Sequence, residues 1–212
     1  DVAGSGSVTD DDRGVAGAVL AGGASRRMGV DKAVLEVDGR PLAMGALEAL
    51  QVARVSPVFL VGGADGLSEA TGHEVIPDAW PGEGPLGGIL TALSALDEDG
   101  RRPVVVLACD LPDASAATVA ELLDHGIDAP DSVVLPVLDG VPQWLHALWP
   151  AGARTSLAAS FEAGGRAPWR AGRKLPVVEV SVSDERSLRD ADRPEDLRGR
   201  NTTGRGPTGC PD

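Results

Sequence analysis

Short apolar runs alternate along the chain with longer stretches in which apolar residues recur at helical spacing. The runs Ala16–Leu20, Pro57–Val61, Pro103–Cys109, Ser132–Val137 and Leu175–Val182 read as buried strands. Pro103–Cys109, spelled PVVVLAC, is the strongest of them. Weaker strands are expected at Val34–Val37, closed by the turn Asp38-Gly39, and at Glu74–Ile76. Gln143–Trp149 is expected to pair back after a turn at Asp139-Gly140. Helices are predicted from Pro41 to about Ala53, with Leu42, Ala46, Leu47 and Leu50 on one face, and over Leu86–Leu96. Others are predicted from about Ser115, with Val119, Leu122 and Leu123 inward, and over Ala151–Ala163, stopped by Gly164-Gly165. Pro194 starts a last short one. Apolar strands alternating with helices predict an α/β fold with a mostly parallel sheet covered on both faces. Ligands of such sheets gather at the carboxyl ends of the strands. Gly22-Gly23, Gly62-Gly63, Asp78 and Asp110 each follow a predicted strand, so they are expected to converge.

Composition narrows this picture. At 212 residues the chain holds one domain, expected over 15–199, with polar, aperiodic tails at 1–14 and 200–212 read as disordered. With 42% apolar residues but only 3% aromatic ones, the core must be built from Leu, Val and Ala. No apolar run approaches the roughly 18 residues of a membrane span. The start, DVAGSGSVTDDD, lacks the basic and apolar segments of a signal peptide. Cys109 and Cys210 have no ligand-like spacing, so neither a disulfide framework nor a zinc site is expected, and the cytoplasm is the expected compartment. The net charge of −13 disfavours nucleic acid as a partner. Against that background Arg26, Arg27 and Lys32 form a local cationic cluster suited to a small anion.

The candidate chemistry starts in that cluster. LAGGASRRMGVDK, Leu20 to Lys32, is a strand end, a glycine turn and three cations, the ingredients of a phosphate grip. It is neither a Walker A loop nor GxGxxG, and the same residues would also serve as a turn before a solvated basic helix start. Lys32 is one of two lysines against seventeen arginines, and a compact ammonium suits a single phosphate oxygen. Arg26 and Arg27 are adjacent, so one of them at most faces such a ligand. Asp110, directly after an apolar strand, reads as a Mg²⁺ ligand or as a turn residue before Pro112. Asp78 stands near the start of the Gly-rich PDAWPGEGPLGGI, Pro77 to Ile89, as a plain loop residue or as a carboxylate that can accept from the two adjacent N–H groups of a guanine edge. In LRDADRPEDL, Asp190 and Asp192 alternate and can share one edge of an extended segment, either one serving as second metal ligand. His73, His125 and His146 show no triad or metal spacing and read as structural.

LAGGASRRMGVDKA resembles the signature of the MobA-like nucleotidyltransferases, the molybdenum cofactor guanylyltransferases. PDAWPGEGPLGGI, ACDLP and RPEDL follow in the family's order, so the resemblance spans about Ala16 to Arg198. It implies a Rossmann-like three-layer αβα sandwich and a nucleotidyltransferase domain over 15–199. The implied reaction transfers GMP from Mg-GTP to the phosphate of molybdopterin and releases pyrophosphate. By match, backbone groups of Leu20, Ala21, Gly22 and Gly23 would hold the nucleotide. Lys32 would meet its phosphates with Arg26 beside it, Asp78 would contact the guanosine, and Asp110 would bind Mg²⁺, with Asp190 as the expected second ligand. An ionised phosphate nucleophile needs no strong general base, which fits a chain without a catalytic histidine.

The chain departs from the family at three places. Asp190 and Asp192 stand where asparagines are usual, Gly62-Gly63 where an Asn often follows the second strand, and Gln143-Trp144-Leu145 where His-Pro-Leu is common. The last of these lies on the expected acceptor side. It leaves open a different phosphorylated acceptor (molybdopterin with CTP, a sugar phosphate, a phospholactate-like acid), and the departures together leave open a nucleotide-binding protein without turnover.

Overall fold

The computed structural model of the chain describes residues 14–22, 32–96, 102–192, 194–197, 200 and 202–203. In chain order the strands are β1 (Ala16–Leu20), β2 (Glu36–Val37), β3 (Arg40–Pro41), β4 (Val58–Val61), β5 (Val75–Ile76), β6 (Val104–Ala108), β7 (Val133–Leu138), β8 (Val141–Pro142), β9 (His146–Trp149), β10 (Val177–Val180) and β11 (Thr202–Thr203). The helices are α1 (Ala43–Val52), α2 (Leu67–Thr71), α3 (Pro85–Ala95), α4 (Ala116–Asp128), α5 (Ala153–Glu162) and α6 (Pro168–Gly172).

The main sheet runs β10-β7-β9-β6-β1-β4-β5, with β8 paired to the end of β7. β1 lies parallel to both β4 and β6, β5 extends the parallel run beyond β4, and β10 lies parallel to β7. Only β9 and the short β8 run against this direction. The reversal is local: the β7–β8 hairpin turns at Asp139 and Gly140, whose φ angles of 49° and 76° are those that an Asp-Gly pair accepts in a tight hairpin. β9 then returns between β6 and β7.

The run Ala16–Leu20 is fully buried because both faces of the sheet are covered. Its side chains alternate between two cores. Ala16, Ala18 and Leu20 meet Leu86, Ile89 and Leu90 of α3 and Leu157 and Phe161 of α5. Val19, with Val105 and Leu107 of β6, meets Leu47 and Leu50 of α1 and Val119 and Leu122 of α4. The sheet covered on both faces is what the periodicity predicts, and the three-layer αβα sandwich it forms is the one the resemblance implies. Ser115 caps α4 by accepting from the Ala117 N–H, as its position before an apolar helix suggests.

Three local expectations are corrected. Val34–Val37 is not one strand, because Lys32–Val34 forms a 3₁₀ turn and only Glu36–Val37 pairs. Pro41 does not open α1: it stays extended opposite Glu36, and the helix begins at Ala43. Thr202–Thr203, inside the stretch read as a disordered tail, pair with Glu36–Val37 as β11. A two-residue strand beside a hairpin leaves no periodic signal to read. Val37, Leu42, Ala191 and Leu197 close a small third core under this hairpin, and that core brings the C-terminal segment to the carboxyl edge of the sheet.

Candidate active site

Gly22, Gly62-Gly63, Asp78 and Asp110 all lie at the carboxyl edge of the parallel strands. β1 is the centre of this edge, flanked by β4 and β6, where successive connections leave in opposite directions. The Ala21 and Gly22 N–H groups donate to the Val61 carbonyl at 2.9 and 3.1 Å, and the Cys109 N–H donates to the Leu20 carbonyl at 3.2 Å. The three strand ends are therefore stitched together just where the glycine loop begins. Gly23 and Arg26, with Arg27, lie outside the described residues.

One corner of the site is built around Asp78. Gly62, at φ +69°, comes so close to Gly22 that a Cβ on it would sit 3.0 Å from the Gly22 Cα. Only glycine combines that φ with that approach. A Cβ on Gly22 would in turn lie 3.7 Å from Asp78 Oδ2, so this carboxylate oxygen overhangs the start of the loop. Its other oxygen, Oδ1, accepts from the Trp80 N–H at 3.0 Å and from the Thr91 hydroxyl at 3.0 Å.

The other corner is built around Asp110. Lys32, at the start of its 3₁₀ turn, is only 7% exposed. Its ammonium donates to Asp110 Oδ2 at 3.1 Å and to Asp192 Oδ1 at 2.8 Å. Burial by itself pushes the Lys32 ammonium down, but the hydrogen bonds and charges of Asp192 and Asp110 outweigh it and hold the group above its usual value. Three distant segments meet here. The Ala191 N–H donates to the Asp110 carbonyl at 2.8 Å, and the Ala191 side chain is buried in the third core. In an extended segment the flanking residues then face away from that core. The preceding 3₁₀ turn, Glu185–Leu188, is fixed by a fully buried hydroxyl pair, Ser187 with Thr118 of α4, at 2.8 Å.

Asp190 and Asp192 separate in role at this point. Asp192 shares the Lys32 ammonium with Asp110, whereas the described contacts of Asp190 include no such ion pair. Burial raises the Asp190 carboxyl above its ordinary value, and the negative charges of Asp192 and Asp110 raise it further. Among the described residues no three His, Cys, Asp or Glu side chains converge as a metal cage. Two carboxylate oxygens do converge on one cation, the ammonium of Lys32. Hard oxygen donors of this number are what Mg²⁺ takes from a protein when substrate phosphates supply the rest of its shell.

One feature of this edge leaves almost no trace in the sequence. Thr91 was hidden in an apolar helix, where a lone buried hydroxyl was the only signal. His146 lies on β9 opposite Leu107, three residues before Asp110. It is 3% exposed, its ring nitrogens have no hydrogen-bond partner among the described residues, and burial lowers its imidazole to about 4. It is therefore neutral, consistent with a structural histidine. The segment Gln143-Trp144-Leu145 is structural in part as well: Trp144 is buried with its ring 6.0 Å from that of Trp149.

Parallel strands around a glycine loop, with a lysine and paired aspartates at their carboxyl ends, define a nucleotide-handling α/β enzyme. Residues 17–177 match the MobA-like NTP transferase domain. The chain belongs to this family. It is 35% identical over 188 residues to a probable molybdenum cofactor guanylyltransferase of Opitutus terrae, covering 86% of this chain and 92% of that one. A probable molybdenum cofactor guanylyltransferase of Methanothermobacter thermautotrophicus is 32% identical over 199 residues, covering 85% and 96%. The crystal structure of molybdopterin-guanine dinucleotide biosynthesis protein A from Archaeoglobus fulgidus superposes with a TM-score of 0.72 at 26% identity, covering 86% of this chain and 95% of that one. Among the described residues no helix is long and apolar enough to cross a membrane.

Proposed function

We propose that this chain is a molybdenum cofactor guanylyltransferase, which transfers GMP from GTP to the terminal phosphate of molybdopterin. The observation that carries the reading is Lys32 held between Asp110 and Asp192 at the carboxyl edge of β1 and β6. The names of its relatives support the nucleotide and the acceptor. An acceptor phosphate oxygen attacks the α-phosphorus of GTP, the bond from that phosphorus to the β-phosphate oxygen breaks, and pyrophosphate leaves. The nucleophile is already anionic near neutral pH, so the protein has to align two anions and offset their charge rather than remove a proton.

Backbone groups from Leu20 through Gly23 would receive the nucleotide at the loop, and Asp78 would contact its guanosine. Lys32 supplies a fixed positive charge beside the triphosphate, with Arg26 as the second proposed cation. The donor set at Asp110 fits a magnesium ion, with Asp192 favoured over Asp190 as the second ligand because it shares one cation with Asp110. When bound, the ion would neutralise triphosphate charge and activate the α-phosphorus. Lys32 meanwhile keeps two facing carboxylates from repelling each other. The nucleotide and phosphorylated substrates accord with a cytoplasmic setting.

The test is pyrophosphate release from GTP, CTP or ATP with Mg²⁺ and molybdopterin. The reading predicts release with GTP well above that with CTP or ATP. Release only with CTP would move the chain to cytidylyl transfer, and release only with another phosphorylated acceptor would replace molybdopterin.

A further inference from the structure

We infer that Thr91 is a positioning residue for nucleotide recognition, acting through Asp78. The inference rests on the reading of Asp78 as the guanosine contact and deepens it. Thr91 is 4% exposed on α3, inside an otherwise apolar stretch. Its hydroxyl oxygen accepts from the Ala79 N–H at 3.1 Å. Its single proton lies 3.0 Å from two acceptors, Asp78 Oδ1 and the Gly87 carbonyl. The ionised carboxylate is the stronger acceptor of the two. Thr91 thus holds both the Asp78 side chain and the backbone of the next residue, Ala79, and joins the segment after β5 to the helix that follows it.

This grip has a consequence for how the carboxylate can be used. Oδ1 already takes two donors, the Trp80 N–H and the Thr91 hydroxyl. Among the described residues it is Oδ1 that carries these internal bonds, while Oδ2 is the oxygen lying over Gly22. The carboxylate therefore cannot present both oxygens equally to a two-pronged guanine edge. Oδ2 alone faces the loop, and Thr91 fixes the rotation that puts it there. Without the hydroxyl the carboxylate can rotate, and the Ala79 N–H loses its acceptor. Affinity for the nucleotide then falls, while the charge machinery at Asp110 is untouched.

Four proteins test this: Thr91→Val, Thr91→Ser, Asp78→Ala and the double variant Thr91→Val/Asp78→Ala. GTP binding with Mg²⁺ is measured by calorimetry, and kcat and KM by pyrophosphate release. Thr91→Val is expected to weaken GTP binding about tenfold, the size of one hydrogen bond to a charged group. KM rises accordingly and kcat stays within about twofold, the mark of a lost binding contact. Thr91→Ser restores affinity because the hydroxyl is kept, which rules out a mere packing defect. In the Asp78→Ala background, Thr91→Val has no further effect, because the two act as one unit. If Asp78→Ala weakens binding but Thr91→Val does not, the role of Thr91 is overturned and that of Asp78 stands. If Thr91→Val weakens binding equally with and without Asp78, Thr91 does not act through it. If Asp78→Ala binds GTP like the wild type, the reading of Asp78 falls and this inference falls with it.

Discussion

Asp78 and Asp110 occupy matching places, each just past the end of a parallel strand at the same rim of the sheet, yet they are held by opposite means. Asp78 is fixed from nearby in sequence, by the Trp80 N–H and the Thr91 hydroxyl. Asp110 is fixed by charge, through a lysine 78 residues away that also holds Asp192. Neutral donors from the flanking chain fix a carboxylate's direction independently of salt and ligand. An ion pair assembled from three segments answers to any cation that competes for the same oxygens. On the proposed function, this difference would divide the labour of the site, with the Asp78 corner as a fixed reader and the Asp110 corner as an exchangeable charge cluster.

The sharpest way to break this division is at the charged corner. Asp110→Ala should lower pyrophosphate release about a thousandfold and Lys32→Ala about a hundredfold, the range seen when one electrostatic stabiliser of a transition state is removed. Wild-type turnover in either variant would remove that residue from the mechanism. Asp192→Asn should cost about tenfold or more, and Asp190→Asn less than about threefold, because Asp192 alone of the two shares the ammonium. The reverse order would make Asp190 the second ligand.

The pH dependence of stability probes the neighbourhood of the charged corner from beneath. His146 is buried neutral, with a folded value of about 4 against 6.5 when unfolded. A histidine lowered in this way contributes full stability above pH 6.5, and that stability is lost as the pH falls from 6.5 to 4, because the unfolded chain binds the proton first. The shift corresponds to about 3 kcal/mol at most. His146→Leu, which removes the titration without stranding a partner, should flatten the denaturant midpoint over this window. Asp190 acts with the opposite sign: a carboxyl raised in the folded state gains relative stability as the pH falls through its raised value. A wild-type midpoint that changes with pH between 6.5 and 4 no more than that of His146→Leu would show that His146 does not produce this dependence.

At the fixed corner the smallest change is Gly62→Ala. The strained φ and the 3.0 Å approach to Gly22 should lower stability by about 1–3 kcal/mol, read as a lower midpoint in urea. GTP affinity should fall with it, because the displaced Gly22 lies under Asp78. An alanine tolerated with full stability and affinity would mean that the loop has room the geometry denies.

How much of this was legible in the residues follows the range of the interactions. Each buried strand and the longer helices left a periodic trace, since both faces of the sheet and one face of each helix have to be apolar. The convergence of Gly22, Gly62, Asp78 and Asp110 followed from parallel strands alone, before any side chain was placed. The spelling of the loop and its ordered companions was enough to point to the family. What the chain order could not decide was which of Asp190 and Asp192 meets Lys32, and that Thr202–Thr203 return to pair with Glu36–Val37. The first depends on Ala191 being drawn into a small core and on its N–H meeting the Asp110 carbonyl, the second on pairing with β2, and both are contacts between segments far apart in sequence. The direction of the Asp78 carboxylate was equally out of reach, because it is set by a hydroxyl one helix further on. Residue type and spacing determined which groups stand at the rim; only the packing of the folded chain, local at Asp78 and between distant segments at Asp110, decided which way each of them points.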